Sequence, residues 1–197
     1  MQTQFGIILN VMLLGLAGCG HSTSDAGGQT DASRRNVSSE TGVPESAIAL
    51  AARAMDVSLT QAERREAATR MTTAADPDAA IPNMRSLLAT SDDEFVRATM
   101  AKRLGDLRDM DSSPQLLDAL GDASPQVQEA AAHSLLKMLG RDFFFRSDDL
   151  PEFRQAAQAR YRKYWEDIQS SPATRDRLRE RNQQLRREQE QQDPPHL

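Results

Sequence analysis

Two segments of the chain carry the same apolar pattern 31 residues apart, and this repeat constrains the fold more than any other feature. Each copy follows the spacing i, i+3, i+4, i+8, i+11, which places its members on one face of an α-helix. The copies are Val96, Thr99, Met100, Leu104 and Leu107, and Val127, Ala130, Ala131, Leu135 and Met138. A weaker copy falls within Ala62–Met71. Such a period predicts stacked helix pairs, because one pair cannot bury its apolar face alone.

The rest of the chain between residues 44 and 168 also reads as helical. No run alternates with period two, and strong helix formers such as Ala, Leu, Arg and Glu dominate. Aromatic residues make up only 5%, so the core must be built from Ala, Leu, Met and Val. Capping residues followed by proline, as in Ser124-Pro125 and Ser171-Pro172, predict helix starts, and Gly121 and Gly140 predict helix ends.

The repeated segments resemble a known family. "FVRATMAKRLGDLRD" and "GDASPQVQEAAAHSLLKMLG" are similar to HEAT repeats in their short bacterial form, with Val96-Arg97 and Leu104-Gly105 matching the pattern and Gln128 standing where Arg is usual. The resemblance covers about residues 58–142. It implies an all-α fold, a short α-solenoid of HEAT-like helix pairs over residues 46–142, with a plain helical bundle as the alternative.

Two further segments follow the repeats. Residues 143–169 hold Phe143-Phe144-Phe145 and a helical stripe, and we expect an aromatic C-terminal capping helix rather than an exposed aromatic patch. The stripe consists of Phe153, Ala157, Tyr161, Tyr164 and Ile168. Residues 170–197 are rich in Arg, Glu and Gln, with Leu178 and Leu185 too sparse for a coiled coil. They predict a charged tail that is partly helical or disordered.

The N-terminus resembles the signal of a bacterial lipoprotein. The apolar run Phe5–Ala17 has the length of a signal-peptide core. Leu16, Ala17 and Gly18 then precede the single cysteine, Cys19, as in a lipobox. The resemblance implies that residues 1–18 are a cleaved signal and that Cys19 carries the lipid, diacylglycerol with fatty acids such as palmitate. Residues 19–45 then read as a flexible, disordered N-terminal tether.

The residue after the cysteine bears on the destination. In lipoproteins of bacteria with two membranes, Asp at this position often retains the protein at the inner membrane, and here it is Gly20. The resemblance therefore favours the periplasmic face of the outer membrane.

No pattern in the sequence points to catalysis. The three histidines, His21, His133 and His196, are not spaced with other ligands for a metal. We find no phosphate loop and no nucleophile motif, and we predict no enzyme activity, no metal, no cofactor and no small-molecule substrate. The formal net charge of −5 argues against a nucleic-acid partner.

These observations predict a membrane-tethered, non-catalytic protein-interaction or scaffold module of the bacterial cell envelope. The partner-binding candidates are polar residues on the repeat helices: Arg97, Lys102, Arg103, Glu129, His133 and Lys137. A passive structural lipoprotein is one alternative. An enzyme of the chromophore-lyase type, as found among some HEAT-like families, is the other.

Overall fold

The structure, a computed structural model, describes residues 45–74 and 76–192, and this part of the chain is entirely helical. The predictions for Cys19, for its preceding residues Leu16 to Gly18 and for the tether up to residue 44 lie outside the described residues. The helices are α1 Ala47–Met55, α2 Gln61–Met71, α3 Ile81–Thr90, α4 Glu94–Asp106, α5 Ser113–Ala119, α6 Pro125–Leu139, α7 Pro151–Ser170 and α8 Pro172–Gln192. Short 3₁₀ turns precede α3 and α5.

The helices stack as successive pairs in two layers. One layer runs α1, α3, α5 and α7, and the other runs α2, α4 and α6, with each helix packing on the next member of its layer. The closest packing in the second layer is between α4 and α6, which carry the two copies of the sequence repeat. The described residues therefore form the short α-solenoid that the repeat predicted.

The apolar stripes of the repeat form the core between the layers. Val96, Met100 and Leu104 are at most 1% exposed, and their counterparts Val127 and Leu135 are fully buried. The weaker copy in α2 behaves in the same way, because its Ala67, Ala68 and Met71 are also fully buried. Small and flexible side chains thus fill a core that contains few aromatic rings.

The helix ends follow the local sequence signals. Thr60 and Glu63 form a reciprocal capping box at the start of α2. Pro125 is the first residue of α6, directly after the N-cap Ser124. Gly140 ends α6 in the left-handed conformation at φ 70°, which glycine adopts at little cost.

The aromatic segment after α6 does not behave as one capping layer. Phe143 packs edge-on against Tyr161 and Tyr164, with ring centroids 4.7 and 5.6 Å away. Phe145 is buried, but Phe144 is 78% exposed. The backbone of residue 144 is left-handed, at φ 58°, so the segment turns there and does not pack as one continuous unit. The expectation that the whole run tucks under α7 is therefore corrected.

The stripe of α7 is also shorter than expected. Ala157, Tyr161 and Ile168 are buried, whereas Phe153 is 60% exposed. Phe153 lies in the first turn of α7, next to Leu150, which is itself 59% exposed. The buried stripe of α7 consequently begins one turn later than the sequence spacing indicated.

The C-terminal tail is a continuous helix, α8, with a polar attachment to the repeats. Asn182 is 2% exposed and its amide donates to the Met138 carbonyl at 2.9 Å, beside a donation from Arg181 to the same carbonyl at 2.7 Å. Arg179 and Arg186 reach Asp111 and Asp78. Residues 172–192 thus take the helical form of the two that the sequence left open, and side-chain amides and guanidinium groups add polar contacts to the packing of Leu178.

Candidate interaction surface

The second layer is held together by a close helix crossing. Gly105 of α4 faces Ser134 of α6, and a Cβ atom built on Gly105 would lie only 2.7 Å from the Ser134 Cα atom. The Ser134 hydroxyl is buried and donates to the Ala101 carbonyl at 2.8 Å. Two small residues thus let the backbones approach, and this explains physically why glycine stands at this point of the repeat.

Arginine–aspartate pairs connect each repeat to the next. Arg65 of α2 donates twice to Asp93 at the start of α4, at 2.7 and 3.0 Å. Arg97 of α4 donates twice to Asp122 before α6, at 2.8 Å for both bonds. Two parallel bonds between a guanidinium and a carboxylate fix direction as well as distance. These pairs set the stacking of one repeat on the next.

The first layer contains an equivalent connection. Arg85 of α3 donates to Asp109, in the loop before α5, at 2.6 and 3.1 Å, and to the Ser112 hydroxyl at 2.8 Å. An aspartate in a turn is usually explained by helix capping alone, and Asp93 does accept from the Phe95 N–H at 2.9 Å. The signal that identifies the pairs is an Asp in the turn before a helix together with an Arg in the previous helix of the same layer.

Two of these pairs lower the pKa of their carboxyl group, and the lysines that contact Asp106 do the same. For Asp122 the Arg97 guanidinium is the main cause. For Asp93 burial acts to raise the pKa, but the bonds from Arg65, Phe95 and Gln61 together outweigh it. Asp106 shows the same balance, because burial raises its pKa and the bonds from Lys102 and Lys137 bring it below the ordinary value. All three groups are therefore stabilised as carboxylates in the folded protein.

We expect acid to destabilise the fold through these carboxylates. Their folded pKa values lie below the unfolded ones, so their contribution is fully present above about pH 5 and is lost as the pH falls through about 3.9 toward the folded pKa values. The urea midpoint measured by circular dichroism should drop steadily from pH 5 to pH 3. The double variant R97M/D122N should show a shallower drop. An unchanged midpoint over this range would contradict the pairing.

The series of pairs ends at Gln128, the residue that departs from the HEAT pattern. Its side-chain amide donates to the Asp122 carbonyl at 2.6 Å, within its own turn. Helix α8, which contacts α6, attaches instead at the end of α6 through Arg181 and Asn182. The loss of arginine at position 128 thus coincides with the end of regular stacking.

Several of the polar residues chosen from the sequence are engaged within the molecule. Arg97 is occupied by Asp122 and by the Ser91 carbonyl, which it contacts at 2.9 Å. Lys102 and Lys137 both bind Asp106, at 2.8 and 2.5 Å, although Lys102 remains 71% exposed.

Arg103 is half-buried, and this burial lowers its pKa. Together with Arg97 and Lys137, it contributes more to the internal packing than to a surface that a partner could reach.

Glu129 and His133 are the two candidates that the structure places on an open surface. Both are exposed on α6 and line a groove between α6, α7 and the loop that joins them, with a volume of about 420 Å³. The groove also contains the carboxyl groups of Asp142 and Asp148 and the guanidinium of Arg146. Leu136, Phe145 and Tyr161 also belong to its lining.

The loop over residues 141–150, called the aromatic loop below, is fixed along its whole length. Arg141 stacks over the rings of Phe143 and Tyr164 at 5.3 and 5.4 Å. Arg154 of α7 donates to the carbonyls of Ser147 and Asp149 at 3.1 and 2.7 Å. The Ser147 hydroxyl in turn donates to Glu129 at 2.6 Å, which ties the loop to α6.

Phe144 is held in an unfavourable backbone conformation within this loop. Its φ is 58°, in the left-handed region, which costs an L-residue on the order of 1–2 kcal/mol. The Asp142 carboxylate accepts from the Phe144 N–H at 2.7 Å and stabilises the turn. The sequence reasoning missed this residue because the Phe run was read as one buried unit. An exposed aromatic side chain on a strained backbone is a frequent mark of a functional surface.

Two classes of site find no support in the described part of the chain. Within residues 45–74 and 76–192, no group of three or more His, Cys, Asp or Glu side chains could hold a metal ion. None of the helices described is both long and apolar enough to cross a membrane.

Comparison with known proteins gives a family for the repeats. No significant match to a curated protein or to a solved structure was found. The family model described as HEAT repeats matches residues 44–136. This segment contains α1 to α5 and most of α6, and it includes the three arginine–aspartate pairs described above. Residues 44–136 are therefore similar to HEAT repeats, and the described part of the chain is a short α-solenoid of HEAT-like helix pairs.

Proposed function

We propose that this protein is a membrane-tethered, non-catalytic interaction module of the bacterial cell envelope. HEAT repeats commonly mediate protein–protein interaction, and the family is generally non-catalytic. The observation that carries the proposal is that some polar groups stabilise the stacking of the repeats while others stay open to solvent. Arg65, Arg85 and Arg97 hold the repeats to one another, while an open groove and exposed aromatic side chains remain beside α6.

The tether is the second part of the proposal. It is supported by the sequence alone: an apolar run of signal-peptide length, then Leu16, Ala17 and Gly18 directly before Cys19. The lipid on Cys19 would hold the repeats at the membrane surface, with residues 19–45 as the spacer. Gly20 favours the outer membrane as the destination. A bound lipid adds membrane affinity in proportion to its buried methylene groups, so loss of the thiol should release the protein.

The tether is tested by replacing the cysteine. Cys19→Ala should abolish incorporation of a labelled fatty acid, and the chain should leave the membrane fraction. His21→Ala, two residues further on, is the matched control and should remain labelled and membrane-bound. Persistence of the label in Cys19→Ala would refute lipid attachment at this residue.

The interaction part is tested by chemical crosslinking in intact cells that express the full chain. A scaffold should give the same crosslinked protein in repeated experiments, through lysines of the repeat segment such as Lys102. Absence of any reproducible adduct would favour the passive structural role instead.

A further inference from the structure

The aromatic loop and the first turn of α7 expose three large apolar side chains within ten residues. They are Phe144, Leu150 and Phe153, which are 78, 59 and 60% exposed. Among the described residues, the other exposed large apolar side chains lie at the opposite end of the chain, in and just after α1. Clustering of this kind marks an interaction site more often than it marks chance exposure.

Two properties make this segment a suitable binding surface. It is preorganised, because Arg154, Ser147 and the ring stack on Phe143 fix the loop before any partner arrives. It also adjoins a groove of about 420 Å³ with a lining of apolar and charged residues, which is large enough for one or two side chains. Rigid aromatic anchors next to a pocket lose little entropy on binding and are typical of interface hot spots.

The charge of the groove selects the chemistry of the partner. Glu129, Asp142 and Asp148 contribute three carboxylates against the single guanidinium of Arg146. Glu129 and Asp142 already accept hydrogen bonds from residues of the loop, whereas no hydrogen bond or ion pair to another described residue is found for the Asp148 side chain. A negatively charged groove beside apolar anchors attracts a cationic side chain and repels anionic lipid headgroups and nucleic acids.

We infer that the aromatic loop and this groove bind a protein segment that carries an apolar side chain next to lysine or arginine. The inference rests on the proposed function and names the surface and the partner class for it. The apolar side chain packs against Phe144, and the cation pairs with Asp148 at the rim of the groove. A basic partner segment should also bind more weakly at high salt, since the groove carboxylates are open to solvent.

The test is selection from a random 12-residue peptide library displayed on phage, with the full chain in detergent as the target. The enriched peptides should place Lys or Arg within three residues of an aromatic or long aliphatic residue. Phe144→Gly and Asp148→Lys should each weaken binding of these peptides at least tenfold. Phe144→Gly is informative because glycine suits the left-handed backbone at residue 144, so the variant loses the ring with its thermal stability kept.

Matched controls distinguish binding at this surface from nonspecific binding. Val57→Ser removes an apolar side chain that is 86% exposed at the far end of the chain, and Glu66→Lys reverses an exposed charge on α2. Both should leave peptide binding unchanged. The inference fails if no peptide is enriched, if the enriched peptides are acidic, or if binding survives Phe144→Gly.

Two other occupants would also overturn it. The first is a lipid surface, shown if the unlipidated Cys19→Ala protein binds phosphatidylglycerol vesicles and loses this binding when Phe144 is also replaced. The second is another copy of the chain, shown if sedimentation detects a dimer that is absent in Phe144→Gly. Failure of the inference is distinguishable from failure of the proposed function. If a crosslinked partner persists in cells that express Phe144→Gly or Asp148→Lys, the inference about this surface is refuted. The proposal that the protein is an interaction module then still stands.

Discussion

Gly105→Ala should lower the free energy of unfolding by about 2 kcal/mol, and Gly105→Leu by about 3 kcal/mol or more. The reason is the crossing of α4 and α6, where the added Cβ would lie 2.7 Å from the Ser134 Cα atom. The clash is with backbone, so no rotation of a side chain can relieve it. Helix propensity alone gives the opposite sign, because alanine in a helix interior is favoured over glycine by about 1 kcal/mol.

Urea unfolding followed by circular dichroism measures this effect. Gly121→Ala is the matched control, because its nearest atom, the Asp118 carbonyl oxygen, lies at an ordinary contact distance of 3.4 Å. That variant should change stability by less than about 0.5 kcal/mol, or increase it slightly. If both alanine variants were equally stable, the close packing of α4 on α6 would be refuted.

Arg65→Met should lower the free energy of unfolding, because it leaves the Asp93 carboxylate without its cationic partner. The Asp93 side chain is only 1% exposed, and Arg65 supplies both of its bonds to a cation. Methionine keeps most of the packing of the arginine stem, so the loss reports mainly the charge. The pKa of Asp93 should rise at the same time, and the acid sensitivity of the protein should move to higher pH.

The adjacent residue provides the control. Arg64 pairs with Asp92 at 3.2 Å, but the Asp92 side chain is 76% exposed and can return to water. Arg64→Met should therefore change stability by less than about 0.5 kcal/mol. If burial of the arginine side chain set the loss, Arg64→Met would cost more than Arg65→Met, because Arg64 is 14% exposed and Arg65 is 42% exposed. We expect the opposite order. Equal losses in the two variants would refute the role assigned to Asp93.

The apolar pattern of the sequence was sufficient to predict the solenoid. The stripes around Val96 and Val127 predicted two helices and their buried faces, and in the structure every member of both stripes except Thr99 and Ala130 is buried. The prediction that Gly140 ends a helix is confirmed. Helices often end in a left-handed residue, and glycine is the residue that adopts this conformation most readily. These features depend on contacts within one helix or between neighbouring helices, so short-range spacing encodes them.

The candidate surface was harder to predict because it depends on long-range pairing. Arg97 reads as an exposed cation in its own helix, and only the fold brings Asp122 beside it. The Phe run gave no indication that its middle member would be exposed, since that depends on where Phe143 and Phe145 are anchored. The hydrophobic pattern also does not predict the attachment of α8 through Asn182, because this buried contact is polar.

The central claim is that this short solenoid presents a specific partner-binding face. Its most direct test is site-specific photo-crosslinking in intact cells, with a photoreactive residue placed in separate experiments at four exposed positions of the full chain. The positions are Phe144, His133, Lys102 and Val57. We predict that one recurrent protein adduct forms when the photoreactive residue is at position 144 or 133, and that it does not form at position 57. No adduct at any position, or the same adducts at all four, would contradict it.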